Sequence, residues 1–514
     1  MNGPLDTHYG KHGVPDDQDT FLALQKNLVR QFEAVFPHAL LPRTVVVIPS
    51  LSLDRKELEK IEGAHHYEER LLCLLMLLRL PRTRIIYVTS QPIAATVIDY
   101  YLSLLPGVPM SHARSRLCML TCHDASMVPL TQKILDRPRL LSSIRDELSG
   151  QEYAHMTCFN ATTLERSLAL ALGIPIYAAD PALNHYGTKS GSREIFKEAG
   201  IDVPPGFENI RDRQDIFDAI AELKGLDPQL RKVVIKLNDG FSGEGNAVFS
   251  LEDCPNDNSA GAWVRKNLPR SIRFEAKTET WEAFIAKFGS MGGIVETFVE
   301  GKNKQSPSAQ CRIDPLGNAV PISTHDQVLG GPSGQVFLGC TFPAVPDYRL
   351  EIQLAGMRVA EILKDRGVVG RFGVDFISVP QQNGSWKHYA IEINLRKGGT
   401  THPFLMLQFL IDGFYDEDTG RYYTPSLKER FYYASDNLKQ ESYKGLLPAD
   451  LIDIAVYHDL HFHGATQQGV VFHLIGALSE YGKLGVLCIG DSPTKARELY
   501  DHTVEVLDAE TRDD

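Results

Sequence analysis

The rhythm of apolar and polar positions divides the chain into two kinds of structure. From residue 43 onward, short runs of consecutive apolar residues (TVVVIPSL, RIIYVTS, RLCMLTCHD, AHMTCFN, IPIYAAD) alternate with stretches whose apolar positions recur at helical spacing: HYEERLLCLLMLLRL, then residues 94–105, 134–148 and 162–172. Strands that are apolar on both faces belong to parallel sheets covered by helices on each side. Residues 43–183 therefore predict a parallel, doubly wound α/β layer. No GxGxxG follows any of its strands, so it is expected to form one wall of a cleft and not a dinucleotide site. Ahead of it, a polar arm leads into residues 21–36, an amphipathic helix expected to pack on the layer; the two together form an N-terminal 1–42 segment.

The alternation ends near residues 181–186, and a short helix, SREIFKEAG, opens a layer of a second kind. There RKVVIKLNDGFSGEGNAVFSL, GGIVETFVEG, SAQCRIDPLGNAVPISTHDQV and VFLGCTFPA read as antiparallel strands, with glycine-rich bends at 240–245 and 330–334 and a helix over 349–366. This pattern predicts an α+β core over 184–410. Residues 411–450, polar and aromatic, are expected to be an insertion capping the cleft or a partner-binding loop. From 451 to 514, VVFHLIGALSEYG and KLGVLCIGDSPTKARELYDHTVEVL predict helix, strand and helix, a small C-terminal cap.

Chemistry concentrates in GRFGVDFISVPQQNGSWKHYAIEINLRKGG, where two runs of period two flank Asn383-Gly384. This is a β-hairpin pattern, and a two-residue type I′ turn without a bulge sets Asp375 directly opposite Glu392. Like charges facing each other destabilise a sheet, so the pair asks for a cation. Glu392, Asn394 and Arg396 alternate along the second strand and share that face. Two carboxylates and an amide oxygen suit Mg²⁺ and are poor for zinc. Arg396 adds a positive charge able to neutralise a phosphate or a developing oxyanion.

Two further features support an anion site. Lys236, inside VVIKL, would be costly to bury without an anionic partner, and the Gly240, Ser242, Gly243 and Gly245 bend after it joins two strands, so its N–H groups can close over phosphates as a flap. Gly187-Thr188-Lys189-Ser190-Gly191 only superficially resembles a P-loop, because Thr188 takes the place of the second glycine. Gly398, Gly399, Thr400 and Thr401 follow Arg396 and could offer N–H groups to an anion or simply form a turn. Arg312 and Arg371 could meet a substrate carboxylate or pair with neighbouring acids. His458, His461, His463 and His473 tempt a zinc reading, but no i, i+4 pair fits helical spacing and no cysteine lies nearby.

Length and charge narrow the class. At 514 residues two to four domains are expected. A net charge of −12 disfavours nucleic acid and anionic membranes as partners. The eight cysteines contain no CxxC and fall mostly in apolar runs, as in a reducing compartment. MNGPLDTHYGKHG lacks a signal-peptide pattern and no apolar run is long enough to span a membrane, so a cytoplasmic protein is expected.

The order of these parts resembles the ATP-grasp superfamily: a Lys opening a helix, a second Lys before a glycine-rich flap, the GIVETFVEG hinge, then Asp followed by Glu-x-Asn-x-Arg. The preceding α/β layer looks like that family's pre-ATP-grasp domain. Within it, STHDQVLGGPSG, EINLRKGGTTHP and the FHGATQQGVVFHLIGALSEYG tail resemble the pheganomycin-type peptide ligases. The resemblance implies Lys189 and Lys236 on the phosphates of ATP, and Glu296, Thr297, Phe298 and Val299 along the adenine edge. It implies Asp375, Glu392 and Asn394 as ligands of two Mg²⁺ ions (or Mn²⁺), and Arg396 on an acyl-phosphate. The ribose position is Asn303 where many members carry an acid. Asp326 and Gln327 become substrate candidates, and His325, Asp326 or Glu244 could accept the proton of an amine. The implied activity joins a small-molecule carboxylate to an amine or short peptide with release of ADP and phosphate, in a possible homodimer. A metabolite kinase or a nucleotide-binding regulatory module are the alternatives.

Overall fold

The computed structural model describes residues 18–512 apart from 39, 241–244, 277 and 331–335. The bend residues Ser242, Gly243 and Glu244, and most of the second glycine-rich bend, lie outside the described residues.

The apolar runs of the first third form a four-stranded parallel sheet in the order Leu117–Thr121, Thr83–Thr89, Arg43–Ile48, Ala154–Cys158. IPIYAAD adds a single bridge, Met156 to Ile176, and not a full strand. The helix Gln18–Val35 covers that edge: the Gln25 amide donates to the Ile176 carbonyl (3.0 Å) and accepts from its N–H (2.8 Å), and Phe21 is buried against the layer. A sheet edge satisfied this way cannot recruit another strand. The helix Thr163–Leu172 starts on a reciprocal Thr162/Glu165 capping box and stops at Gly173, whose φ of 69° is left-handed.

HYEERLLCLLMLLRL forms a helix of 3₁₀ type, Ala64–Arg79, buried from Leu71 through Met76. A helix apolar all round must be covered all round. The parallel sheet covers one side; the helix Thr401–Ile411 and the C-terminal strands cover the other, in one core that includes Val45, Leu72, Phe404 and Val486.

The second layer is split between two sheets. A five-stranded antiparallel sheet runs Gly206–Ile210, Gly293–Thr297, Lys232–Leu237, Asn246–Ser250, Arg273–Phe274, with its own core around Phe217, Val264 and Phe284. The large sheet runs Trp386–Asn394, Gly370–Pro380, Pro307–Ile313, Ala319–Gly330, Val336–Phe342, Glu429–Lys439. Two stretches differ from expectation. The 411–450 segment contributes Glu429–Lys439 as a strand between Val336–Phe342 and Lys483–Gly490, so part of it builds the sheet and is not a separate insertion. Gly469–His473 is a fully buried strand paired with Lys483–Gly490, not a helix. A short apolar run fits either period, and here β-branched Val470 and Val471 next to an available strand decide it. No helix among the described residues is long and apolar enough to cross a membrane.

Candidate active site

Asp375 does pair with Glu392, and Gly373 with Asn394, but the reason is not the expected turn. The loop has three residues between Gln381 and Ser385, whose backbones bond at 2.8 Å, and Gly384 is left-handed at φ 83°. That shifts the outer register by one residue. A bulge at Ile391, between the Asp375 and Phe376 pairings, shifts it back. Ile391 and Glu392 consequently both line the cavity.

The helix Lys189–Glu198 docks beside this hairpin, its Ser192 hydroxyl accepting from the Ile393 N–H at 3.0 Å. Lys189, at its first turn, forms an ion pair with Glu392. Among the described residues Asp375 has only amide partners: the Asn394 side chain donates to Oδ2 and the Gln327 side chain to Oδ1, each at 2.8 Å. Burial, and then the Glu392 charge, push the Asp375 carboxyl up to about 7. Burial works against the charge on Glu392, but the Lys189 ammonium together with Arg396 and Lys236 outweighs it and holds this carboxyl below its usual value. Arg396 lies 5.8 Å from the Phe159 ring centre, its guanidinium pulled down by burial.

Across the cleft, Lys236 donates to Glu296 Oε1 at 2.5 Å. The other oxygen of Glu296 accepts from Arg193 (2.6 Å), and Arg193 also holds Glu208 (2.7 Å). Next to Glu296, the N–H groups of Thr297 and Phe298 already donate to the carbonyls of Pro205 and Lys232. The Phe298 ring centre lies 4.5 Å from the Lys304 ammonium and 5.7 Å from that of Lys232.

These two walls enclose a cavity of about 490 Å³, large enough for a small-molecule ligand. It gathers Lys189, Lys236, Gly240, Gly245, Glu296, Thr297, Phe298, Val299, Gln327, Asp375, Glu392, Asn394, Arg396, Gly399 and Thr400. A family model described as "IQCH-like, ATP-grasp" matches residues 181–276 and 270–417, and one described as "PGM1 C-terminal domain" matches residues 450–503. Biotin carboxylase of Campylobacter jejuni, in a β-γ-ATP complex, is similar with a TM-score of 0.54 at 13% identity, over 92% of this chain and 96% of that one. The ADP complex of an N5-carboxyaminoimidazole ribonucleotide synthetase gives 0.51 at 13% identity, over 92% and 99%. The chain has the ATP-grasp fold. It is also 29% identical over 469 residues to the L-propargylglycine–L-glutamate ligase of Streptantibioticus cattleyicolor, covering 90% of this chain and 94% of that one. IQ motif-containing protein H of Danio rerio is 24% identical over 413 residues, 72% of this chain but 38% of the longer relative.

Several expected residues lie elsewhere in this ATP-grasp fold. Asn303 does not line the cavity; it sits in a left-handed turn at φ 57°. Asp326 is turned away, held by the Tyr348 hydroxyl (2.5 Å) and the Val345 N–H (2.8 Å). His325 is fully buried against the Tyr432 hydroxyl (2.6 Å), and burial pushes it down to about 3, so it is a poor proton acceptor at neutral pH. Thr401 starts a helix and accepts from the Gly398 N–H (3.0 Å). Arg312 and Arg371 line a different cavity and pair with no acid among the described residues. The histidines do not share one site: His473 stacks on His402 at 4.1 Å and His458 meets Glu510 at 2.7 Å, while Asp459, His461 and His463 are near enough to hold one ion.

The cavity also contains residues that sequence spacing did not reveal. Arg70 pairs with Asp436 at 2.8 Å and lies 4.1 Å from the Tyr67 ring centre, and Lys483 donates to the Tyr67 hydroxyl at 2.7 Å. All four line the cavity, with Asn437. They come from three distant parts of the chain, so no local motif could flag them.

Proposed function

We propose that the protein is an ATP-dependent carboxylate–amine ligase: ATP phosphorylates a carboxylate, an amine displaces phosphate from the acyl-phosphate, and an amide, ADP and phosphate leave. The observation that carries this reading is the opposed Asp375–Glu392 pair, with Asn394 beside it and Arg396 on the same cavity wall. Asp375, Glu392 and Asn394 form an all-oxygen donor set in which Asp375 has no contacting cation among the described residues, and this fits Mg²⁺, two ions in this reading, with Mn²⁺ as a substitute. When bound, magnesium supplies positive charge at the phosphates.

The remaining steps fall to the chain's own residues. Lys189, released from Glu392, and Lys236 neutralise the phosphate oxygens. Arg396 meets the acyl-phosphate oxygens and the oxyanion that forms when the amine attacks, with the Gly399 and Thr400 segment alongside. Glu296, Thr297, Phe298 and Val299 border the base. At the other end of the cavity, Arg70, Asp436 and Lys483 offer charges of both signs, which suits an amino acid with its carboxylate and ammonium. The ligase relative, named for two amino-acid substrates, supports that substrate class.

The test is a screen of amino-acid and dipeptide pairs for amine-dependent ADP release, with the product read by mass spectrometry. An amide with stoichiometric ADP is expected. A stable phosphorylated product formed without any amine would overturn the reading in favour of a kinase.

A further inference from the structure

Behind the turn that carries Arg396 lies a second cavity, of about 430 Å³, which shares no lining residue with the first. Much of its wall is apolar: Leu28 and Phe32 of the first helix, Leu77, Leu405 and Phe409. Its uncompensated charges are all basic. Arg312 and Arg371 are direct register partners on neighbouring strands, so two like charges face each other. Among the described residues neither has a carboxylate partner. Arg371 makes one long contact, 3.5 Å to the Gln408 side-chain oxygen. Arg312 Nε and the Tyr177 hydroxyl are buried with no hydrogen-bond partner.

The nearby acids are engaged. Asp314 accepts from the N–H groups of Leu316 and Asn318 and from the Asn318 side chain, each at 2.9 Å. Asp412, largely exposed, pairs with Arg79 at 2.6 Å. Lys397 spends its ammonium on the Thr157 hydroxyl (2.9 Å) and the Cys158 carbonyl (2.6 Å). Burial and the neighbouring Arg312 pull the Arg371 guanidinium down to about 10. Enclosed cations without a counter-charge are costly, and a guanidinium pair matches the planar, two-oxygen geometry of a carboxylate.

We propose that this cavity binds a small organic carboxylate bearing an apolar group, with its oxygens on Arg371 and Arg312 and its tail against Leu77, Leu405 and Phe409. A phosphate fits less well, because it has no apolar group to set against the Leu77, Leu405 and Phe409 wall. The site is separate from the nucleotide: Arg371 lies four residues before Asp375 on one strand, about 13 Å away at strand spacing.

Calorimetry on the full chain with octanoate tests this. One octanoate is expected to bind per chain, octanamide to bind at least about 10-fold more weakly, and saturating Mg-ADP to leave octanoate affinity unchanged. Arg371→Met should weaken octanoate about 10-fold or more while Mg-ADP binds as in the parent. Displacement of octanoate by Mg-ADP, equal binding of the amide, tighter binding of inorganic phosphate than of octanoate, or no binding at millimolar octanoate would each overturn the proposal. Should Arg371→Met fail to fold, the octanoate–octanamide pair and the Mg-ADP competition on the parent protein decide it alone.

Discussion

On the wall of the cleft that carries Lys236, the buried charges answer one another: Lys236 and Arg193 share the two oxygens of Glu296, and Arg193 also holds Glu208. On the wall that carries Asp375, Glu392 has Lys189, but among the described residues Asp375 has only two amides, and its carboxyl is raised to about 7. The first wall is balanced by the chain alone. On the second, Asp375 has no cation in contact among the described residues, and a cation arriving with the nucleotide would give it one. In the proposed reading the same kind of side chain serves shape in one place and ligand binding in the other.

Replacing each acid by its amide should separate the two. Asp375→Asn is expected to lower turnover by about 10³-fold or more, on the order of 4 kcal/mol of transition-state stabilisation, while thermal melting at pH 8 stays unchanged or rises. Loss of melting temperature without loss of turnover would contradict the contrast. Glu296→Gln should instead cost about 3 kcal/mol of stability in a denaturant titration, because Lys236 and Arg193 remain buried with too little negative charge. A variant as stable as the parent would show that this wall is not held by its ions.

The third expectation follows from the proton on Asp375. Magnesium needs the deprotonated carboxylate, and that fraction falls as pH drops below about 7. Mg²⁺-dependent ADP affinity should weaken about 10-fold per pH unit below that value and level off above about 8, as read by calorimetry. The same raised carboxyl removes stability from the ligand-free protein as pH climbs from 3.8, the ordinary value of an aspartate, to about 7, since the folded state holds that proton more tightly than the unfolded chain. In Asp375→Asn both dependences should flatten. Smallest is Gly384→Ala, which forces a side chain into φ 83° and should cost about 1 kcal/mol by thermal melting, with little change in turnover.

Much of this arrangement was legible in the sequence, for identifiable reasons. Runs apolar on both faces could only be covered strands, so the parallel layer followed from TVVVIPSL and its successors. Lys236 stood out as a charge inside an apolar strand, and the structure gives it Glu296. The facing of Asp375 and Glu392 was expected for a partly wrong reason: a three-residue loop and a bulge at Ile391 offset each other, and alternation alone shows neither. Pairings between remote segments were not legible. Nothing local says that Glu429–Lys439 joins Val336–Phe342, which turned an expected cap into part of the sheet. Arg70, Asp436 and Lys483 converge for the same reason, because burial of the Ala64–Arg79 helix brings its polar end to the C-terminal strands. For Arg312 and Arg371 the sequence left a substrate carboxylate or neighbouring acids as partners, and in the structure they lie far enough along their strands to line another cavity, with no acid paired among the described residues.

The central claim is that Asp375 and Glu392 form the cation site through which this fold uses ATP. Titrating Mg²⁺ against the protein at fixed ADP, with ADP affinity as the readout, tests it most directly. In the parent protein Mg²⁺ should tighten ADP binding about 100-fold or more, whereas in Asp375→Asn, still folded by circular dichroism, the tightening should largely vanish. An undiminished Mg²⁺ effect in that variant would contradict the account.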